Sequence, residues 1–282
     1  SGLGEGLAFN SSGNLFEADP NSGNIYEFTP GGTRSTFASG LGYPEGLAVN
    51  SAGDLFEGGF EDPNVYEFTP GGAKSTFGSV ASGLGYPYGL AFDSAGNLFV
   101  ADNNSGNIYE FTPGGVRSIF ASGVFSPTGI VFNSAGDLFV ADDYSGNIYE
   151  FTPGGAKSTF TSGLSAPRGL AFNSAGNLFE ADAKSGNIYE FTPGGTRSTF
   201  ASGLDFPDGL AFQPTPELAA TITNGVLQIA VSMPSPYRST IIQVSTDMVN
   251  WASVYTNTPP FDFTDSMETT LLYRFYRALL AP

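Results

Sequence analysis

The sequence contains neither cysteine nor histidine among its 282 residues. Without cysteine there is no disulfide, no thiolate nucleophile and no Cys-ligated zinc. Without histidine the commonest general base and the commonest transition-metal ligand are missing. Bases are scarce as well: 10 Lys and Arg stand against 27 Asp and Glu, a net charge of −17. That balance argues against a nucleic-acid partner, because phosphate binding needs clustered cations. It disfavours docking on anionic lipid for the same reason. Charged residues make up only 13% of the chain, about half the usual share, so the surface must be mainly Ser, Thr, Asn and Gly. No apolar run approaches the ~20 residues of a membrane-spanning helix, and membrane insertion is not expected. No signal peptide opens the chain at Ser1. The sequence starts in mid-motif, and the composition leads to the expectation of a secreted, extracellular bacterial protein trimmed at its start.

What the sequence does have is a repeat, which outranks other signals in assigning a fold. Gly-Leu-Ala-Phe or a close variant starts at Gly6, Gly46, Gly89, Gly129, Gly169 and Gly209, with spacings of 40, 43, 40, 40 and 40. Each unit reads as four short strands. In the third, Gly89 to Phe92, Asn97 to Ala101, Asn107 to Phe111 and Arg117 to Phe120 are separated by turns rich in Gly, Asn, Asp and Pro, the residues that tight turns require. Aromatic and β-branched residues fill the segments between. Runs such as Leu138-Phe139-Val140-Ala141 are continuously apolar, so both faces of each sheet should be covered. Four-stranded blades stacked radially about an axis provide that cover, with a linear solenoid as the alternative.

The stretch Pro-x-Gly-Leu-Ala-Phe-Asn-Ser-Ala-Gly-Asn-Leu-Phe-Val-Ala-Asp, followed by Gly-Asn-Ile-Tyr-Glu-Phe, is clearest from Pro87 to Phe111 and from Pro127 to Phe151. It resembles the NHL-type and lactonase-like β-propellers, over roughly Ser1 to Phe212. The resemblance implies an all-β propeller and leaves activity open, since that superfamily holds binding scaffolds, lactonases and lyases. Six copies of the first strand accompany only five copies of the other three. The ring could close on five blades with a surplus strand, complete a sixth blade with residues after Pro216, or be completed by another chain. The expectation is a six-bladed outline: five complete repeats plus an extra inner strand.

Composition shifts near Glu217, giving expected domains at 1–213 and 214–282. The second carries the single Trp, Trp251, and all three Met. Its segments from Ile242 to Asp247 and from Arg274 to Ala278, with Trp251 between them, resemble a fibronectin-III-like module, a small β-sandwich. Core packing is the expected role of Trp251.

Four sets of residues are candidates for chemistry. Glu in the third strand accompanies a base in the fourth: Glu27 with Arg34, Glu67 with Lys74, Glu110 with Arg117, Glu150 with Lys157, Glu190 with Arg197. A two-residue hairpin loop would pair them directly, and a three-residue loop would shift them apart. A second set precedes each inner strand: Glu5, Glu45, Tyr88, Thr128, Arg168 and Asp208. These positions vary while their surroundings repeat, and they should ring one mouth of the central channel, where loops on a rigid scaffold bind ligands. Glu5, Glu45 and Asp208 could hold Ca²⁺ through oxygen ligands, and Arg168 could clamp an anion. A third set is a column in the second strand, Glu17, Glu57, Val100, Val140 and Glu180, expected to be half-exposed. The fourth, Asp102 to Gly106, has the wrong spacing for a calcium loop and reads as a hairpin turn. Asn-x-Ser sequons occur at Asn10 and Asn103.

Propeller lyases similar to this chain use histidine, which it lacks. The lactonases use a metal held by Glu, Asn and Asp at the mouth; only Glu5, Glu45 and Asp208 match, and no Asn does. No nucleophile elbow is present. The main expectation is therefore a non-enzymatic extracellular scaffold with no required cofactor, binding a protein, a glycan or copies of itself. The alternative is a Ca-dependent hydrolase or lactonase at the channel mouth.

Overall fold

The computed structural model describes residues 6–77 and 84–213, and beyond them the strands of 217–280. The described residues form strands and turns, with no helix. Five four-stranded antiparallel sheets follow one another, each ordered as it runs in the chain. The first holds Leu7–Phe9, Leu15–Asp19, Asn24–Phe28 and Arg34–Ala38; the last holds Pro167–Phe172, Leu178–Asp182, Asn187–Phe191 and Arg197–Ala201. The propeller therefore has five blades.

Burial grades from axis to rim. The second strands Leu98–Asp102, Leu138–Asp142 and Leu178–Asp182 are buried along their whole length, whereas the fourth strands are largely exposed. The continuous apolar runs are thus explained by blade stacking on both faces. At the joints after blades 3 and 4 a second-strand Phe lies edge-on between a fourth-strand Phe of its own blade and an inner-strand Phe of the next. Phe99 has its ring 5.0 Å from Phe120 and 4.9 Å from Phe132; Phe139 is 5.1 Å from both Phe160 and Phe172. Edge-to-face geometry adds ~0.5–1.5 kcal/mol per pair to what burial supplies.

Around the axis the inner strands pack backbone to backbone. A Cβ on Gly46 would stand 1.8 Å from the Tyr88 carbonyl oxygen, on Gly89 2.1 Å from that of Thr128, and on Gly129 2.1 Å from that of Arg168. Only glycine permits that approach.

The six-bladed expectation is corrected. Residues 207–212 form no strand, although a Cβ on Gly169 would lie 2.0 Å from the Asp208 carbonyl oxygen and Phe212 packs 5.0 Å from Phe179. The segment docks on blade 5 as an inner strand would, but no second strand comes after it to share its hydrogen bonds. The later strands pair among themselves, as Glu217–Thr223 with Val226–Ser232 and Phe261–Thr264, and Thr240–Ser245 with Ala252–Asn257 and Phe275–Leu280. The chain divides into two compact units with the main boundary between Phe212 and Gln213. Trp251 lies outside the described residues.

The Glu–base pairs are corrected too. Glu27 stands opposite Ser35, and Arg34 opposite Phe28, with the same one-residue offset in the other blades. Each base instead lies over the tyrosine of the third strand: Arg34 is 4.4 Å from the Tyr26 ring, Lys74 3.4 Å from Tyr66, and Lys157 3.6 Å from Tyr149. The Thr-Pro-Gly-Gly loop sets this register: in the first blade Gly32 donates to Thr29 and Thr29 to Thr33.

Candidate active site at the channel mouth

In blades 3, 4 and 5 the loop entering the inner strand is pinned by the aspartate that ends the second strand of the same blade. Asp102 accepts from the Gly85 and Tyr86 amides at 2.8 and 3.0 Å; Asp142 accepts from Phe125 and Ser126; Asp182 accepts from Ser165 and Ala166. The same carboxylates cap their own turns, with Asp102 also accepting from the Asn104 and Ser105 amides. The segment Asp102 to Gly106 is a hairpin turn, as its spacing implies.

Among the described loops two lack this anchor, and both are strained. In blade 2 the position holds Gly59, and Tyr43 takes a φ of 57°; after blade 5 there is no second strand, and Phe206 takes a φ of 52°. These are the only non-glycine residues with positive φ among those described. Gly59 makes room for the displaced loop: a Cβ there would meet the Tyr43 carbonyl oxygen at 2.6 Å. Left-handed aromatic residues persist only where their surroundings hold them, and such strain gathers at functional sites.

Of the six residues expected at the mouth, the structure brings three together. The Tyr88 hydroxyl lies 2.9 and 3.2 Å from the two Asp208 carboxylate oxygens, Arg168 Nη1 donates to Asp208 at 2.7 Å, and Arg168 Nη1 reaches the Tyr88 oxygen at 3.3 Å. Tyr88 and Asp208 are buried and Arg168 is partly so. The Arg168–Asp208 contact is the only ion pair among the described residues. Burial alone would weaken the guanidinium's hold on its proton. The Tyr88 oxygen and the Asp208 carboxylate reverse this, and the pKa is raised above the usual arginine value. Arg168 Nε is buried with no acceptor, and its guanidinium carbon stands 5.1 Å from the Phe206 ring.

Of the other three, two are described. Glu45 is buried and accepts from the Tyr86 hydroxyl. Thr128 is buried and donates to the Pro167 carbonyl at 2.9 Å, tying blade 4 to blade 5. Asp208 faces the Arg168 guanidinium, and among the described residues no three carboxylates converge; Glu5, the third ligand of the expected calcium site, lies outside them.

The second-strand column is corrected in part. Glu17 is half-buried as expected, but Glu57 and Glu180 are buried, because their side chains enter the joints between blades, as those of Val100 and Val140 do. Burial pushes Glu57 up to about 8 and Glu180 up to about 9.

Sequence reasoning missed the aromatic residues upstream of the mouth positions. Tyr43, Phe60 and Tyr86 form a row with ring separations of 6.2 and 4.7 Å, which continues to Tyr88 at 5.6 Å. Their signal lay in the departures of one blade from the next.

No family model matches the sequence, and no curated protein does. Among solved structures, virginiamycin B lyase from Staphylococcus aureus superposes with a TM-score of 0.61 at 15% identity, over 82% of this chain and 92% of that one. A form of that lyase with a histidine replaced by alanine is described as catalytically inactive. A gluconolactonase from Xanthomonas campestris gives a TM-score of 0.66 at 16% identity, over 82% and 84%. A chain in a nidogen–laminin complex gives 0.63 at 23%, over 69% and 78%. These similarities show the fold. The non-enzymatic scaffold expected from near-identical blades is corrected here: a lyase and a lactonase use this architecture, and the mouth departs from the repeat enough to assemble an asymmetric cluster.

Proposed function

We propose that the chain is an enzyme of the lyase or hydrolase class that works at the channel mouth through Tyr88, Arg168 and Asp208. The observation that carries this reading is the meeting of a phenol, a guanidinium and a carboxylate from turns 40 to 120 residues apart. Each group has a role that its neighbours make possible. Tyr88 takes a proton from carbon next to a substrate carbonyl, or from water, as its own proton passes to Asp208. Arg168 stabilises the negative charge that develops on the carbonyl oxygen. Asp208 orients both partners. In elimination the electron pair then expels the C–O leaving group, which takes the proton back. In hydrolysis the activated water opens an ester or lactone. Tyrosine here stands in for the histidine that this chain lacks.

Support also comes from the fold shared with a lyase and a gluconolactonase. The fibronectin-III-like reading of residues 214–282 and export from a bacterial cell rest on the sequence alone.

The test is turnover on a panel of esters, lactones and 3-substituted carbonyl compounds, monitored by proton release and by ultraviolet absorbance of a new double bond. Tyr88→Phe should lower the rate by about 10²–10⁴-fold, with an unchanged circular dichroism spectrum. Wild-type rates equal to buffer across the panel, or full activity in Tyr88→Phe, would refute the proposal.

A further inference from the structure

We infer that the aromatic groove beside the mouth binds carbohydrate, with uncharged sugar rings over the groove and the reacting unit at Tyr88 and Arg168. This names the substrate class of the proposed site and rests on that reading for the reacting end only.

The groove has a volume of about 700 Å³ and includes Phe60, Tyr86, Asn103, Asn104, Phe125 and Tyr144 in its lining. That is within the ~300–1,000 Å³ of small-molecule sites. Its aromatic residues are exposed: Phe60 by 57%, Phe125 by 73% and Tyr144 by 81%. Two of them form a second pair, Phe125 with Tyr144, at 5.9 Å. Among the described residues no charged one lines the groove, in a chain of net charge −17. A ligand lying there should be neutral, with flat apolar faces for the rings and hydroxyl edges for the amides. Sugar rings have that chemistry.

The groove is also preset. The Asn103 amide donates to Ser126 Oγ at 2.8 Å and to the Pro127 carbonyl at 3.2 Å, which fixes its orientation. Asp102 and Asp142 hold the loops that carry Tyr86 and Phe125. A held platform loses less freedom on binding.

The aromatics are placed where the repeat is broken. The residues just after the second strand are Phe60 and Glu61 in blade 2, Asn103 and Asn104 in blade 3, Asp143 and Tyr144 in blade 4, but Ala183 and Lys184 in blade 5. The loop entering the inner strand carries Tyr43, Tyr86 and Phe125 in blades 2 to 4, but Ser165 and Ala166 in blade 5. The platform covers three adjacent blades and stops. The row Tyr43, Phe60, Tyr86 leads to Tyr88, so an extended ligand lying along it ends at the polar cluster.

The experiment is affinity electrophoresis of the full chain in gels containing neutral xyloglucan, galactomannan or mixed-linkage glucan, with calorimetry on the corresponding oligosaccharides. Wild type should be retarded by at least one of them. The triple variant Phe60→Ala, Phe125→Ala, Tyr144→Ala should lose at least tenfold in affinity with its circular dichroism unchanged, since all three side chains are exposed. Retention of wild type together with absence of turnover keeps the inference and sinks the catalytic reading. Turnover without retention on any glycan sinks the inference alone. Equal retention of the triple variant, or retention only on a proline-rich peptide column, also overturns it.

Discussion

Glu180 occupies a position where blades 3 and 4 carry Val100 and Val140, in a joint between two sheets. Both carboxyl oxygens are buried without a hydrogen-bond partner. Burial pushes the group up to about 9, with Asp182 adding to the rise and Arg197 opposing it. The folded-state pKa therefore lies above the unfolded value of 4.5. The native fold keeps the proton while the unfolded chain gives it up, so stability is full below about 4.5 and is lost as pH rises towards about 9. Glu180→Val should raise the melting temperature, by an amount equivalent to about 1–3 kcal/mol at neutral pH. It should also flatten the dependence of melting temperature on pH, measured by thermal denaturation from pH 5 to 9. The sequence displayed the alternation of Glu with Val in this column but not its meaning. Which face of a strand enters a joint depends on how the blades stack, and no local pattern encodes that.

At the scale of the element, the loops entering the inner strands of blades 3, 4 and 5 are each shaped by a single carboxylate. Asp142→Ala removes the acceptor of the Phe125, Ser126 and Ser145 amides and should cost about 1–3 kcal/mol, read from chemical denaturation. It should weaken glycan retention as well, since Phe125 loses its support. Tyr43 offers the converse test. Tyr43→Gly relieves a positive φ that Tyr43→Ala retains, so the glycine variant should melt higher than the alanine one, by an amount equivalent to about 1 kcal/mol. The strands themselves were legible in Gly-Leu-Ala-Phe and Asn-Ile-Tyr-Glu-Phe, because apolar runs and turn residues are local. The hairpin register was not: a loop longer by one residue turned expected ion pairs into cations over Tyr26, Tyr66 and Tyr149.

At the scale of the molecule, five repeats and one orphan segment make up the propeller. The repeat period disclosed the architecture, and the mouth positions could be named from their place before each Gly. Their grouping could not be read. Tyr88, Arg168 and Asp208 meet because residues 207–212 dock on blade 5 without becoming a strand. Cleavage between Phe212 and Gln213 should leave Asp208 docked and keep the turnover of the full chain. Cleavage before Phe206 should abolish turnover while the five blades still melt cooperatively. Activity and calorimetry on the two truncated proteins check this.

The tight seam at each axial glycine has a practical corollary. Every junction from Gly46 to Gly169 is made the same way, and residues 207–212 close the series with the same seam. A gene duplicating one 40-residue unit upstream of Pro207 presents each surface that the existing junctions already use. The number of modules is thus open to engineering by splicing, whereas any bulkier residue at one of these glycines should jam the junction it enters.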